Sequence, residues 1–334
     1  MFGQTRSKQM IWAAAISLML LLSACASGTP GNAGGEPNRT QAQTQQLQAA
    51  TGSESAGATD TAIQTKTINT VMGEVEVPLH PRYVVVNWYE GDMFTLGFKP
   101  AAIYAPVKEA MPFYEAFRDI PIIEKWEPEE LMTYSPDLII TYDPEDFEKL
   151  SKIAPVVVVT GEDYGATERL QFLGEATGRA DQADAAIKIL EQKVSEAKGW
   201  MAEHNFKDKT INIFWDTADS GLFYETGSRG GTLIYDYLNM QKPAKLEELI
   251  AESGKGRGTL SYEMVSDYVG DYVLWFENET ESAFQQSDIW KTIPAVKEGR
   301  QLSIPWEDMY IFYYDDVVSL TEQIDYVLPK LREL

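Results

Sequence analysis

Residues 181–204, DQADAAIKILEQKVSEAKGWMAEH, constrain the fold more than any other stretch of this chain. Ile187, Leu190, Val194, Ala197 and Met201 recur at steps of three and four, with mostly polar residues between them. That spacing makes one apolar stripe of an amphipathic helix. Asp181 and Asp184 place acceptors where the free N–H groups of a first helical turn need them, and no proline interrupts the run. At ~1.5 Å per residue its 24 residues span roughly 36 Å, the width of a small domain. On either side, short β-rich runs alternate with short helical ones. Two arrangements accommodate this pattern: a stiff helix joining two similar α/β lobes, or a surface helix of one larger domain. We read it as the first.

The chain has 334 residues, 44% of them hydrophobic, which is enough for two domains with proper cores. Its 51 acidic residues outnumber 28 basic ones, for a formal net charge of −23. A nucleic-acid partner needs a basic face and is excluded on that ground. One cysteine rules out an intramolecular disulfide, and two histidines, His80 and His204, leave little material for a histidine metal site or catalytic triad.

At the N-terminus, Arg6 and Lys8 precede a short apolar run ending in Leu22-Ser23-Ala24-Cys25. Residues 1–24 have the form of a secretory signal, with an apolar run too short to span a bilayer comfortably. The Leu-Ser-Ala-Cys ending resembles the lipobox of bacterial lipoproteins, in which the cysteine becomes the first residue of the mature chain and carries lipid. Residues 25–65 are rich in Gly, Ala, Ser, Thr and Gln and nearly free of large apolar side chains, the composition of a flexible tether.

Residues 66–165 alternate apolar β-branched runs (83–86, 101–104, 138–141, 156–160) with short helical segments. That order predicts a mostly parallel sheet with helices on its faces, and binding groups at the carboxyl ends of its strands. Trp88, Tyr89, Tyr104 and Tyr142 follow such ends; each either faces a ligand or packs the lobe. Residues 206–334 repeat the plan. Trp215, Tyr224 and Trp275 lie on or beside its strands, and Gly227-Ser228-Arg229-Gly230-Gly231 opens a helix. The glycine spacing matches neither a P-loop nor a dinucleotide fingerprint, and the serine lacks a nucleophile-elbow frame. Arg229, an always-charged fork beside a closely approaching backbone, is the residue of interest there, either as a ligand contact or as a helix-start ion pair. Trp306, Tyr310, Phe312 and Tyr313 belong to a dense aromatic stretch that forms either a ligand wall or a core cap.

The two halves echo one another. Glu129 lies eight residues before Asp137, which opens the 138–141 strand, and Glu263 lies eight before Asp271, which opens the strand at 272. Both glutamates are expected in the first turn of a helix. One exposed carboxylate per lobe can complement the helix dipole or meet a partner's arginines.

Several of these pieces together resemble the substrate-binding lipoproteins of bacterial ABC importers for iron–siderophores and cobalamin. They are the lipobox at Cys25, the Val75 to Val86 opening with its Pro78 and Pro81, Leu96-Gly97 to Pro100, Pro136-Asp137-Leu138-Ile139-Ile140 and Leu150-Ser151-Lys152-Ile153-Ala154-Pro155. The resemblance implies two Rossmann-like lobes joined by one long rigid α-helix, with residues 166–205 as connector between lobes 66–165 and 206–334. It implies that Glu129 and Glu263 dock onto permease arginines, and that the protein is a monomer held outside the cell membrane by Cys25. Ser228-Arg229-Gly230-Gly231, Tyr268-Val269-Gly270-Asp271-Tyr272 and the stretch around Phe312-Tyr313 look most like the ferric-hydroxamate binders of that group. There Arg229 would contact hydroxamate oxygens and Tyr142 would match an aromatic position. The tryptophan those relatives often carry before the arginine is replaced by Gly227-Ser228, which leaves the ligand open. Iron would be bound only as a ferric siderophore, with no resident cofactor or metal and no catalytic residue. Partners would be the siderophore, the permease and, through it, the ATPase. Haem, cobalamin or a ferric catecholate are the alternative ligands. A secreted hydrolase with paired carboxylates and a surface adhesin are the alternative classes.

Overall fold

The computed structural model describes residues 64–161, 163–217 and 221–334. The signal segment, Cys25 and the tether up to residue 63 lie outside them. The first described element is a hairpin of β1 (Thr65–Thr70) and β2 (Gly73–Pro78), with Thr65 opposite Pro78. The polar alternation of Thr-Lys-Thr-Ile-Asn-Thr hides a strand from the eye. Its partner supplies the buried Val75 and Val77 that hold it.

The first lobe contains β3 (Val84–Val86), β4 (Ala102–Ile103), β5 (Leu138–Thr141) and β6 (Val156–Val158), all parallel in the order β4-β3-β5-β6. Nearly every residue of these strands is buried, because helices cover both sheet faces. The second contains β7 (Ile211–Asp216), β8 (Leu222–Glu225), β9 (Arg257–Leu260), β10 (Tyr272–Phe276) and β11 (Gln301–Ile304), in the order β11-β10-β7-β8-β9. Here β7, β10 and β11 are parallel, while β8 runs antiparallel to both of its neighbours. Strand β8 departs from the mostly parallel plan for a simple reason. Residues 217–221 are too few to make a crossover, so the chain can only return beside β7.

The echo between the halves is structural. Strand β3 is central in one sheet and β7 in the other, with β5 and β10 as their equivalent neighbours. Asp137 accepts hydrogen bonds from the backbone N–H groups of Arg82 and Tyr83, just before β3. Asp271 accepts from the backbone N–H and hydroxyl of Thr210, just before β7. Each aspartate pins the entry of one strand to that of the next. Burial alone would raise the Asp271 carboxyl, but Thr210 and Lys209 hold it below its ordinary range.

The connector helix runs Ala180–Glu203, one residue earlier than the spacing predicts. Its N-cap is Arg179, without a side-chain cap; Asp181 sits inside the first turn. Ala183, Ile187, Leu190, Ala197 and Met201 are buried as the stripe requires, and Val194 is half-buried. The helix is not alone. It packs against helix Ala166–Thr177 on one side and the C-terminal helix Val317–Leu331 on the other. Gly174 allows the first approach, since a Cβ there would lie 2.9 Å from that of Ala183. The C-terminal helix also touches helix Glu90–Thr95 of the first lobe, so the lobes are strapped together twice. One apolar cluster, from Val75 to Leu331, passes through both lobes and the connector. Smaller clusters fill the outer sheet faces around Trp275 and around Trp126.

A core shared in this way resists hinge bending, which normally absorbs its motion in a few loop residues. We therefore expect small-angle scattering to give the same radius of gyration with and without ligand. A compaction of several ångströms would show that the straps yield.

Candidate functional site

Parallel strands deliver their carboxyl ends to one edge, and the residues after β3 and β5 meet those of the second lobe there. Trp88, following β3, has φ of +83°, a costly conformation for a bulky side chain. Its ring stands 40% exposed, with centroids 6.1 Å from Tyr142, 6.0 Å from Tyr313 and 5.1 Å from Tyr314. A first-lobe indole thus rests on rings of both lobes.

Trp88 is the shared wall of two hollows. The larger, about 480 Å³, is lined by Trp88, Tyr89, Tyr142, Arg169, Tyr237 and Asp315, among others. The smaller, about 300 Å³, is lined by Trp88, Trp215, Phe223, Glu225, Arg229 and Tyr313, with Ser228 and Arg257. Arg229 has φ of +52° and the following Gly230 +84°, so the chain turns back sharply before the π-helical turn Thr232–Tyr237. Positions 230 and 231 leave no room for a side chain. A Cβ on Gly231 would lie 2.5 Å from the Thr226 carbonyl carbon, and one on Gly230 would lie 3.0 Å from the Phe312 ring. Glu225 organises the turn by accepting from the N–H groups of Thr226 and Gly227 and from the Ser228 hydroxyl, each at 3.0 Å. The Arg229 guanidinium lies 4.6 Å over the Trp215 ring, and its Nη1 reaches Met309 Sδ at 3.4 Å. Among the described residues no carboxylate pairs with it. The alternative of a helix-start ion pair is not what forms.

The predicted residues divide. Trp88, Tyr142, Trp215, Arg229 and Tyr313 converge on the two hollows. Tyr89 reaches the larger one with little surface; it is 4% exposed, and its hydroxyl donates to the Val159 carbonyl. Burial pushes that phenol up. Three predicted residues are corrected. Tyr224 points with Leu222 into the outer cluster, so strand alternation gives Phe223 and Glu225 to the cleft. Trp275 is fully buried against Trp290, 4.7 Å between centroids, on the far face of β10. Phe312 is fully buried beside Phe276 and only backs the Gly230 turn. Tyr104 packs on Trp126, 5.6 Å away. Trp306 and Tyr310 line a separate hollow of about 580 Å³ with Lys108 and Tyr114.

Sequence reasoning missed Phe223, Arg169, Tyr164, Tyr237 and Arg257. In Leu222-Phe223-Tyr224 every residue is apolar, so nothing marks the phase of the strand. Arg169 has the look of an ordinary surface-helix charge. It is instead buried under the larger hollow, 2.9 Å from Asp92 and 3.8 Å from Asp315, with Tyr89 beneath its guanidinium. Around it lies a set of buried acids contributed by both lobes. Burial raises the Glu90 carboxyl to about 8 and that of Asp316 to about 7. Burial also raises Asp92, against the pull of Arg169.

Glu129 and Glu263 are both exposed. Glu129 lies in the short helix Pro128–Leu131, as expected. Glu263 does not lie in a helix; it sits in the turn between β9 and the 3₁₀ turn Val265–Asp267. No helix of the described residues is long and apolar enough to cross a membrane.

Residues 106–306 match the model of a family described as periplasmic binding protein. The iron(3+)-hydroxamate-binding protein FhuD of Bacillus subtilis is 30% identical over 280 residues, covering 81% of this chain and 87% of that protein. The iron(3+)-hydroxamate-binding protein YxeB of the same organism is 27% identical over 277 residues, covering 80% and 85%. A solved Bacillus subtilis structure of the FhuD fold, a periplasmic binding protein component of a Fep/Fec-like ferrichrome ABC transporter, superposes with a TM-score of 0.66. It has 28% identity and covers 80% of this chain and all of that one.

Proposed function

This chain belongs to the periplasmic binding protein family, and on that footing we propose that it is a non-catalytic receptor for a ferric hydroxamate siderophore. It captures the complex at the cleft around Trp88 and Arg229 and delivers it to the permease of an ABC importer and, through it, to the ATPase. Loss of residues 1–24 and lipidation of Cys25 would hold it, as a monomer, on the outer face of the cell membrane. Stable anchoring of that kind takes more than one acyl chain. Iron is cargo in this reading, enclosed by the siderophore's own oxygens.

The observation that carries the reading is Arg229. A guanidinium stacked on Trp215, without an anionic partner among the described residues, offers a fork of donors to ligand oxygens. The rings of Trp88, Tyr142, Trp215 and Tyr313 supply the apolar area a compact organic complex needs. The charge of the cleft supports a hydroxamate over a tris-catecholate. Arg169 is engaged by acids, and Glu225, Asp236 and Asp315 also line the hollows. A ligand with about three negative charges would need several free cations there. The hydroxamate-binding relatives point the same way.

Tryptophan fluorescence of the soluble form tests this directly, because Trp88 and Trp215 line the hollows. Saturable quenching by ferrioxamine B, with none by a ferric catecholate or haemin, is the expected result. Quenching by the catecholate, haemin or cobalamin alone would keep a receptor but replace its ligand. Silence toward all of them would favour an adhesin, and recovery of a chemically altered ligand a hydrolase.

A further inference from the structure

The most exposed large apolar side chain of each lobe sits beside that lobe's echoed glutamate. Met132, three residues after Glu129, is 60% exposed, and Met264, next to Glu263, is 48% exposed. We infer that Met132 and Met264 are the apolar anchors of a two-part docking surface. Its occupant is a membrane permease with two equivalent sockets, each pairing a basic side chain with an apolar recess. The inference rests on the receptor reading above.

The two patches occupy equivalent places. Ile122 bridges in parallel to Ile103 beyond β4, and β9 lies beyond β8, running parallel with β7. Glu129 and Glu263 follow shortly after these edge segments, at the carboxyl ends of the two sheets. The cleft residues after β3 and β5 lie at those same ends, so a partner seated on the patches faces the ligand.

The surroundings single out these two acids. Glu127 lies 3.7 Å from Lys149, and the Glu130 carboxylate accepts the N–H groups of Glu124 and Lys125 at 2.8 and 2.7 Å. Glu129 forms no ion pair among the described residues, nor does Glu263. Glu263, Glu281 and the exposed Ile289 border a hollow of about 470 Å³ that can receive a long basic side chain. Methionine is flexible and polarisable, enriched in interface cores and adaptable to an irregular recess. A second copy of this chain is a poor occupant, because it would set carboxylate against carboxylate on a protein of net charge −23. Two like patches in one chain instead fit a partner whose own surface is repeated.

The test uses the full-length chain in cells that depend on it to import ⁵⁵Fe-labelled ferrioxamine B. Met132→Ser with Met264→Ser should lower the uptake rate about tenfold, the scale of losing two interface anchors. Quenching by ferrioxamine B should be unchanged in the purified variant. Met132→Leu with Met264→Leu should restore uptake. Full uptake by the serine pair, while Glu129→Ala with Glu263→Ala abolishes it, would overturn the methionine anchors and leave a purely ionic contact. Full uptake by both pairs would place the permease elsewhere on the surface. Failure of the unaltered chain to bind or import the label would remove the receptor reading itself, and this inference with it.

Discussion

Arg229→Ala should weaken binding of a ferric hydroxamate by about ten- to a hundredfold with little change in melting temperature. Hydrogen bonds to a charged group contribute roughly 1.5–3 kcal/mol, and about 1.4 kcal/mol is a factor of ten in affinity. Among the described residues the guanidinium has no ion-pair partner to leave stranded, so its removal costs the fold the contact with Trp215 and a weak one with Met309. The backbone at φ +52° is as unfavourable for alanine as for arginine and cancels from the comparison. Arg229→Lys should recover only part of the affinity, because an ammonium keeps the charge but loses the planar fork. Calorimetric titration with ferrioxamine B separates the outcomes. Unchanged affinity in the alanine variant would move the ligand's oxygens away from Arg229 and toward Arg257, on the rim of the same hollow.

The sequence discloses the long helix, the strands and the paired aspartates because each leaves a local periodic or positional mark. Ile187, Leu190 and Ala197 are buried for the reason their spacing suggests, and Asp137 and Asp271 recur because each latches a strand entry. The cleft is less legible. Trp88 and Tyr142 were visible as aromatics at strand ends, but aromatic character does not say which face of a buried strand a ring takes. Trp275 and Tyr224 carry the same chemistry as Trp215, yet alternation turns them into the outer core. The role of Arg169 depends on Asp92 and Asp315, 77 and 146 residues away along the chain. Nothing local announces a partner at such a separation. The strap formed by the C-terminal helix is hidden for the same reason, since its contact with Gly91 comes from Asp316.

That strap should make the protein less stable as pH rises through neutrality. Glu90 and Asp316 come from opposite lobes and are nearly inaccessible to water. Asp316 accepts from Ser319 N–H at 2.8 Å as the N-cap of the C-terminal helix, and a Cβ on Gly91 would fall 2.1 Å from its Oδ2. The Glu90 carboxylate faces backbone N–H groups of Trp88 and Ala105 without a close hydrogen bond, with Tyr314 and Asp316 nearby. Asp92, Arg169 and Asp315 complete the surroundings of Asp316. Burial raises Glu90 to about 8 and Asp316 to about 7, so the folded protein holds protons that the unfolded chain releases above the ordinary carboxylate range. With more protons bound in the folded state, stability falls with rising pH. The loss begins near the ordinary carboxylate pKa and is complete above about 8. Each unit of difference is worth about 1.4 kcal/mol and both carboxyls are raised by roughly three units, so their combined effect is large beside the marginal stability of a domain. The melting temperature should be clearly higher at pH 6 than at pH 8.5. Glu90→Gln, which cannot ionise, should flatten the upper part of that profile and raise the melting temperature at pH 8.5. Thermal denaturation of both proteins across this range decides the matter: a wild-type curve that rises with pH, or an unchanged slope in the variant, would mean that the lobe junction holds its acids ionised.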